Sequence, residues 1–187
     1  MTLVLASRSP QRRAILTQLG LPFRIAEPDY DEAPLPVPPH ELAEAHSRGK
    51  ALSVAAEPGE TVLGVDTIVL VDGQVLGKPA DAAEAVRMLA LLSGRAHEVV
   101  SGLTLHDEAG TDTAHARTAV RFRPLDTPAI DAYVARGEWQ GRAGAYAIQE
   151  SGAALVTGVE GDFFNVVGLP VALLVAMLAE RRTPVSG

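Results

Sequence analysis

Two hydrophobic periods alternate along the chain. The run LVL at 3–5 is an apolar strand pattern, and the following SPQRRAILTQLG sets Ile15, Leu16 and Leu19 on one helical face up to Gly20. Ser9 followed by Pro10 reads as an N-cap with proline in the first helical position. PFRIAE (22–27) predicts a short strand, and the next stretch, PDYDEAPLPVPP, is too rich in proline for regular structure. HELAEAHSRGKALSVAAE (40–57) has the spacing of a long helix, and TVLGVDTIVLV (61–71) is a nearly continuous apolar strand. Asp72 and Gly73 suit a two-residue hairpin turn that joins this strand to QVLGKP. The implied register sets Val71 opposite Gln74, Thr67 opposite Lys78 and Asp66 opposite Pro79.

Further on, Asp81 and Glu84 make a capping-box pattern for a helix carrying Val86, Leu89 and Leu92, ended by Gly94. Residues 97–110 and 111–124 read as strands around a turn, and Thr127-Pro128 starts a helix that runs through Gly137. The segment 141–170 is glycine-rich with short strands. A last helix turns Val171, Leu173, Leu174, Met177 and Leu178 inward, and only TPVSG (183–187) has the look of a low-complexity tail. There is no internal repeat. Alternating elements with extended hairpins predict a mixed α/β domain in place of a purely parallel Rossmann sheet. At 187 residues the expectation is one domain, able to bury roughly 70% of the surface of the unfolded chain.

Composition removes several classes of function. The chain has no cysteine, which excludes disulfides, thiolate metal sites and a cysteine nucleophile, and fits a reducing cytoplasm. The N-terminal apolar run lacks a preceding basic region, so it predicts a strand and not a secretory signal. No uninterrupted apolar stretch approaches the 18 or so residues of a membrane span. The expectation is a soluble cytoplasmic protein with no membrane partner. A net charge of −7 argues against coating nucleic acid, and aromatics at 4% leave few stacking platforms, so no stable nucleic-acid binding is expected. Any polyanion must be met in a local basic pocket.

One such pocket is suggested at the start of the first helix. Ser7, Ser9, Arg12 and Arg13 crowd its first turn, with Arg8 nearby. Cations are unfavourable at the positive end of a helix dipole unless an anion is seated there, so the stretch is either a phosphate seat or a solvated basic turn. Asp66 is a lone carboxylate in an apolar strand. Such a group must meet a cation, a metal or a cluster of donors, whether for chemistry or for structure. Lys78 lies within one residue of Asp66 across the hairpin, although strict alternation turns it to the face of Thr67; it is either a site cation or an exposed lysine. Lys50 shares a largely apolar helical stripe with Ala43, His46 and Val54, and either snorkels to water or reaches into a cleft. Glu32, in a proline-rich loop, has the look of a solvated acid.

Common alternatives fail on spacing. The sequence has no GxxxxGK[ST], no GxGxxG after the first strand, no HExxH and no GxSxG, and the histidines at 40, 46, 97, 106 and 115 lack paired ligand spacing. The remaining acids suit a hard, oxygen-bound cation such as Mg²⁺.

Taken together, LASRSPQRRAIL, DYDEAP, Lys50-Ala51, GVDTIVLVDGQVLGKP, LSGRAHEVVSG and AGAYAIQESGAALVTGVEGDFFNVVGLP resemble the Maf family of nucleoside triphosphate pyrophosphatases. The resemblance runs from Leu3 to about Leu178. It implies an α/β domain with a bent mixed sheet flanked by helices, a deep cleft between two lobes, kinship with inosine triphosphate pyrophosphatases, and a homodimer. The implied reaction cleaves a nucleoside triphosphate between the α and β phosphates with a divalent cation, Mg²⁺ or Mn²⁺. By position, Asp66 becomes the acid that activates water or holds the metal, and Glu32 its metal-site partner. Ser7, Arg12, Lys50 and Lys78 become phosphate contacts, with Arg13 a lesser one. Thr67 and Gln149 match the subgroup resembling dTTP/UTP pyrophosphatases, whereas Gln11 stands where that subgroup usually has Arg. Tyr146, Phe163 and Phe164 are either core residues or border the base. Three other readings fit less of the pattern: a non-catalytic nucleotide-binding regulator of cell division, a 7-methyl-GTP pyrophosphatase, and a hydrolase of another phosphorylated metabolite.

Overall fold

The computed structural model describes residues 2–182, so the TPVSG tail lies outside the described residues. The LVL run becomes β1 (Thr2–Ala6), parallel to both β2 (Phe23–Ala26) and β3 (Glu60–Val71). A strand with parallel partners on both sides is normally covered on both faces, and Leu3, Val4, Leu5 and Ala6 are all buried. Between β1 and β2 lies α1 (Pro10–Gln18), N-capped by Ser9 as expected, and between β2 and β3 lies α2 (Pro39–Leu52).

Asp72 and Gly73 take positive φ of 49° and 78° and return the chain into β4 (Gln74–Leu76), antiparallel to β3. The elements that follow are α3 (Ala82–Leu92), β5 (Ala96–Asp107), β6 (Gly110–Phe122), α4 (Thr127–Val134), two 3-10 turns at Ala143–Ala145 and Ser151–Leu155, β7 (Val156–Glu160), α5 (Phe163–Val167) and α6 (Val171–Arg182). The seven strands form one mixed sheet in the order β2-β1-β3-β5-β6-β7, with β4 on β3. Among the described residues no helix is long and apolar enough to cross a membrane.

The chain divides into two compact units, one of Met1–Asp66, Ser101–Ala116 and Gly168–Gly187, the other of Thr67–Val100 and Arg117–Val167. In the first, Val4, Ala6, Ala51, Val54 and Val62 pack together under α2. Two glycines set how closely that helix lies. A Cβ on Gly64 would stand 2.1 Å from the Ser47 carbonyl oxygen, and one on Gly102 would stand 2.2 Å from that of Ala43. In the second unit the core is built around Val69, Leu89, Leu92, Phe122 and Tyr146.

Several boundaries differ from the sequence reading. α2 stops at Leu52 and not at 57, because the Ser53 hydroxyl donates to the Lys50 carbonyl (2.9 Å) and its N–H to that of Gly49 (3.1 Å), closing the last turn. α4 ends at Val134 and not at Gly137, where the Trp139 indole N–H takes the Val134 carbonyl at 3.0 Å. The β3–β4 register pairs Val71 with Gln74, as expected, but ends at Val69 and Leu76, so Thr67 and Asp66 have no partners in β4. Gly77 and Pro79 interrupt the strand. In α6, Leu174, Met177 and Leu178 are buried, whereas Val171 and Leu173 are only half so. Tyr146 is core, but Phe163 is exposed and edge-packed on Phe164 with ring centroids 5.8 Å apart.

Candidate active site

Two groups of polar side chains are buried in the first unit, and both begin from local backbone choices. β1 ends at Ala6, and Ser7 lies beneath the N-terminus of α1, its Oγ accepting from the Ser9 N–H at 3.1 Å. Ser9 caps the helix by accepting from the Arg12 N–H at 3.4 Å. That places Arg12 in the first turn on the buried face. Its Nη1 donates to Ser7 Oγ at 3.1 Å and its Nε to the Gly168 carbonyl at 2.8 Å. Burial lowers its pKa, opposed by the negative charges of Asp66 and Glu32, and a guanidinium so placed stays charged.

The second group forms where α2 lies on β3. Lys50, on the last turn of α2, is 6% exposed, and Asp66 on β3 is 5% exposed. The Lys50 ammonium donates to Asp66 Oδ1 at 2.7 Å and makes an ion pair with Glu32 Oε1, also at 2.7 Å. Removing one partner of a buried ion pair typically costs ~3–5 kcal/mol, yet replacing the whole pair by apolar side chains is often neutral or favourable. Stability alone is therefore a poor reason to bury these charges, and chemistry is the better one.

The structure thus brings together Ser7 with Arg12, and Lys50 with Asp66 and Glu32. Gln11 is half-buried, its Oε1 accepting from the Ser9 hydroxyl at 3.1 Å, while Arg13 is exposed. Thr67 follows Asp66 on β3 and so faces the other side of the strand; it belongs to the second unit, as do the exposed Lys78 and Gln149. Three contributors had not been singled out from the sequence: the Gly168 carbonyl, and Tyr30 with His46, joined at 3.1 Å between the phenol oxygen and Nδ1. The detectable signal was Tyr30, the one aromatic in the proline-rich loop 28–39.

The donor set fits a hard divalent cation. Two carboxylates already share one positive group through single oxygens, and Mg²⁺ sites commonly use one or two carboxylates plus substrate phosphates. Among the described residues no group of three His, Asp or Glu side chains is placed to hold a metal unaided.

Fold and site together define a class. The structure is similar to the Staphylococcus aureus Ham1 protein, with a TM-score of 0.53 over 97% of this chain and 100% of that one, at 13% identity. It is likewise similar to a HAM1 protein from Coxiella burnetii, with a TM-score of 0.53 over 96% and 99% of the two chains, at 18% identity. At such identities the likeness is one of fold. The family model described as Maf-like protein matches residues 2–181, and the chain belongs to that family. It is 48% identical to a protein of Symbiobacterium thermophilum named dTTP/UTP pyrophosphatase, over 98% of this chain and 95% of the relative. A protein of the same name from Moorella thermoacetica is 50% identical over 95% and 93% of the two chains.

Proposed function

We propose that this protein hydrolyses nucleoside triphosphates, dTTP and UTP foremost, to the monophosphate and pyrophosphate. The carrying observation is the buried Lys50 ammonium shared at 2.7 Å by Asp66 and Glu32, a concentration of charge that neither packing nor stability requires. The names of the relatives in Symbiobacterium and Moorella support the substrate class.

Hydrolysis of a phosphoanhydride needs neutralised phosphate oxygens, an in-line water and little covalent help. Arg12 and Ser7, at the positive end of α1, bind phosphate oxygens; Lys50 and the exposed Lys78 add positive charge, with Arg13 a weaker contact at the rim. Asp66 orients the attacking water and accepts its proton as the α–β bridging bond breaks and pyrophosphate leaves. Asp66 and Glu32 are the residues that would hold Mg²⁺ or Mn²⁺, which when bound withdraws charge from the phosphate oxygens and polarises the water. The homodimer belongs to this proposal and is tested by light scattering in solution.

Base preference rests on Thr67 and Gln149, whose hydroxyl and amide offer donor and acceptor to a pyrimidine edge. Gln11 supplies a neutral amide, already engaged with Ser9, where a guanidinium would give a rigid fork, so discrimination is shallower than with Arg there. The test is kcat/KM for dTTP, UTP, CTP, GTP and 7-methyl-GTP with Mg²⁺ or Mn²⁺, for the parent and for Asp66→Asn. The expected result is preference for dTTP and UTP, and a loss on the order of 100-fold or more in Asp66→Asn with the fold retained. Preference for 7-methyl-GTP, or near-normal turnover by the variant, contradicts the reading.

A further inference from the structure

Glu32 stands in a proline-rich loop whose residues 31–38 are all exposed, and its carboxylate meets the Lys50 ammonium at 2.7 Å. The last half-buried residue before that exposed stretch is Tyr30. Its phenol oxygen lies 3.1 Å from His46 Nδ1, and the two rings meet edge-on with centroids 5.8 Å apart.

The seat beneath Tyr30 is cut for it. A Cβ on Gly49 would fall 2.0 Å from Tyr30 Cε2 and 2.3 Å from Cζ, so only glycine admits the ring there. Glycine in a helix costs about 1 kcal/mol relative to alanine, and α2 carries it one residue before Lys50. His46, Gly49 and Lys50 stand at i, i+3 and i+4 on one face of α2. Tyr30 meets the first two and Glu32 meets the third.

We propose that Tyr30 is a positioning residue for Glu32: seated on Gly49 and bonded to His46, it pins the loop to α2 so that the Glu32 carboxylate lands on Lys50 and Asp66. The role rests on the metal-holding function given to Glu32 above. It acts through Glu32 and needs no contact between Tyr30 and the nucleotide. Outer residues that orient a metal ligand typically control 10–100-fold in metal affinity.

The test compares Tyr30→Ala, Tyr30→Phe, Gly49→Ala and the double variant Tyr30→Ala/Gly49→Ala. Binding of Mn²⁺ is read by electron paramagnetic resonance with and without a non-hydrolysable dTTP analogue, alongside kcat and KM for dTTP and the Tm of each protein. Tyr30→Ala and Gly49→Ala are each expected to weaken Mn²⁺ binding about tenfold or more and to lower kcat more than they raise KM. Tyr30→Phe, which keeps the ring and loses the hydroxyl, should fall between them and the parent. The double variant should be no worse than Tyr30→Ala, because the three atoms nearest the added methyl all belong to the ring that Tyr30→Ala removes.

Four results overturn the proposal: additive losses in the double variant, lowered Tm with Mn²⁺ affinity preserved, a change in the dTTP to CTP ratio in Tyr30→Phe, which would mean direct contact with the base, or no Mn²⁺ bound by the parent either with or without the dTTP analogue. If the variants lose Mn²⁺ as expected while the parent hydrolyses no nucleoside triphosphate, the anchor stands and the pyrophosphatase reading falls.

Discussion

At the scale of single residues, the cations given to the site divide into those buried with partners and those left in water. Arg12 and Lys78 are given the same task but sit at opposite extremes, one buried against Ser7 and Gly168, the other exposed. Lys78→Ala, a surface change, should move stability by no more than about 0.5 kcal/mol. It should nevertheless lower kcat/KM for dTTP at low salt, and unchanged kinetics would make it an ordinary solvated lysine. Arg12→Ala should lower kcat/KM and Tm together, since it also removes the buried Nε hydrogen bond to the Gly168 carbonyl. Thermal melts beside the kinetics separate the two cases.

His97 gives a residue-scale prediction away from the phosphate chemistry. It is buried among Phe122 and Tyr146, with Nε2 at 2.9 Å from the Tyr146 phenol and Nδ1 without a hydrogen-bond partner. Burial pushes its pKa from the ordinary 6.5 down to about 4. The unfolded chain therefore takes up a proton between these pH values that the folded chain refuses. Its stabilising effect is complete above pH 6.5 and is lost progressively as pH falls to about 4, to a total of roughly 3 kcal/mol. Urea unfolding at pH 7 and pH 4.5 should show a smaller decline for His97→Gln than for the parent; equal declines would mean that His97 does not carry the effect. From the sequence, Asp66 was legible because a carboxylate in an apolar strand demands a partner. Lys50 was legible only as a choice between water and cleft. Glu32 was not legible from its own surroundings, because its partner sits on a helix that the loop gives no means of locating.

At the scale of elements, the site depends on α2 lying close enough to β3 for Lys50 to reach Asp66. Gly64 sets that distance on β3, and its hypothetical Cβ at 2.1 Å from the Ser47 carbonyl meets backbone, which cannot turn aside. Gly64→Ala should therefore push strand and helix apart, costing roughly 1–3 kcal/mol. At about 2–4 °C per kcal/mol for a chain of this size, calorimetry should find a Tm lower by several degrees, with a still larger loss of turnover. A Tm within a degree of the parent would remove the close-approach argument. Local chemistry made most elements readable: the Ser9-Pro10 cap, the Asp72-Gly73 turn and the Asp81 cap all stand where expected. The box at Asp81 differs in one detail, as Glu84 reaches back to the Ala80 N–H at 2.8 Å. Helix ends and the end of the β3–β4 ladder were less readable, because Trp139 and Ser53 terminate helices by hydrogen bonds that apolar periodicity does not encode.

At the scale of the whole molecule, hydrophobic patterning predicted a mixed α/β protein but could not order the strands. That order, β2-β1-β3-β5-β6-β7, depends on non-local pairing of strands far apart in the chain. Net charge of −7 has a kinetic consequence, since a polyanionic substrate approaches against the overall field and is drawn in only by the local cations around Arg12 and Lys50. The central claim is that this constellation splits a nucleoside triphosphate at its α–β bond. Phosphorus NMR of dTTP with the purified protein and Mg²⁺ or Mn²⁺ tests it directly. Resonances of dTMP and pyrophosphate should grow in equal amounts, and should not grow with Asp66→Asn. Appearance of dTDP with orthophosphate, or a spectrum of unchanged dTTP, would contradict the account.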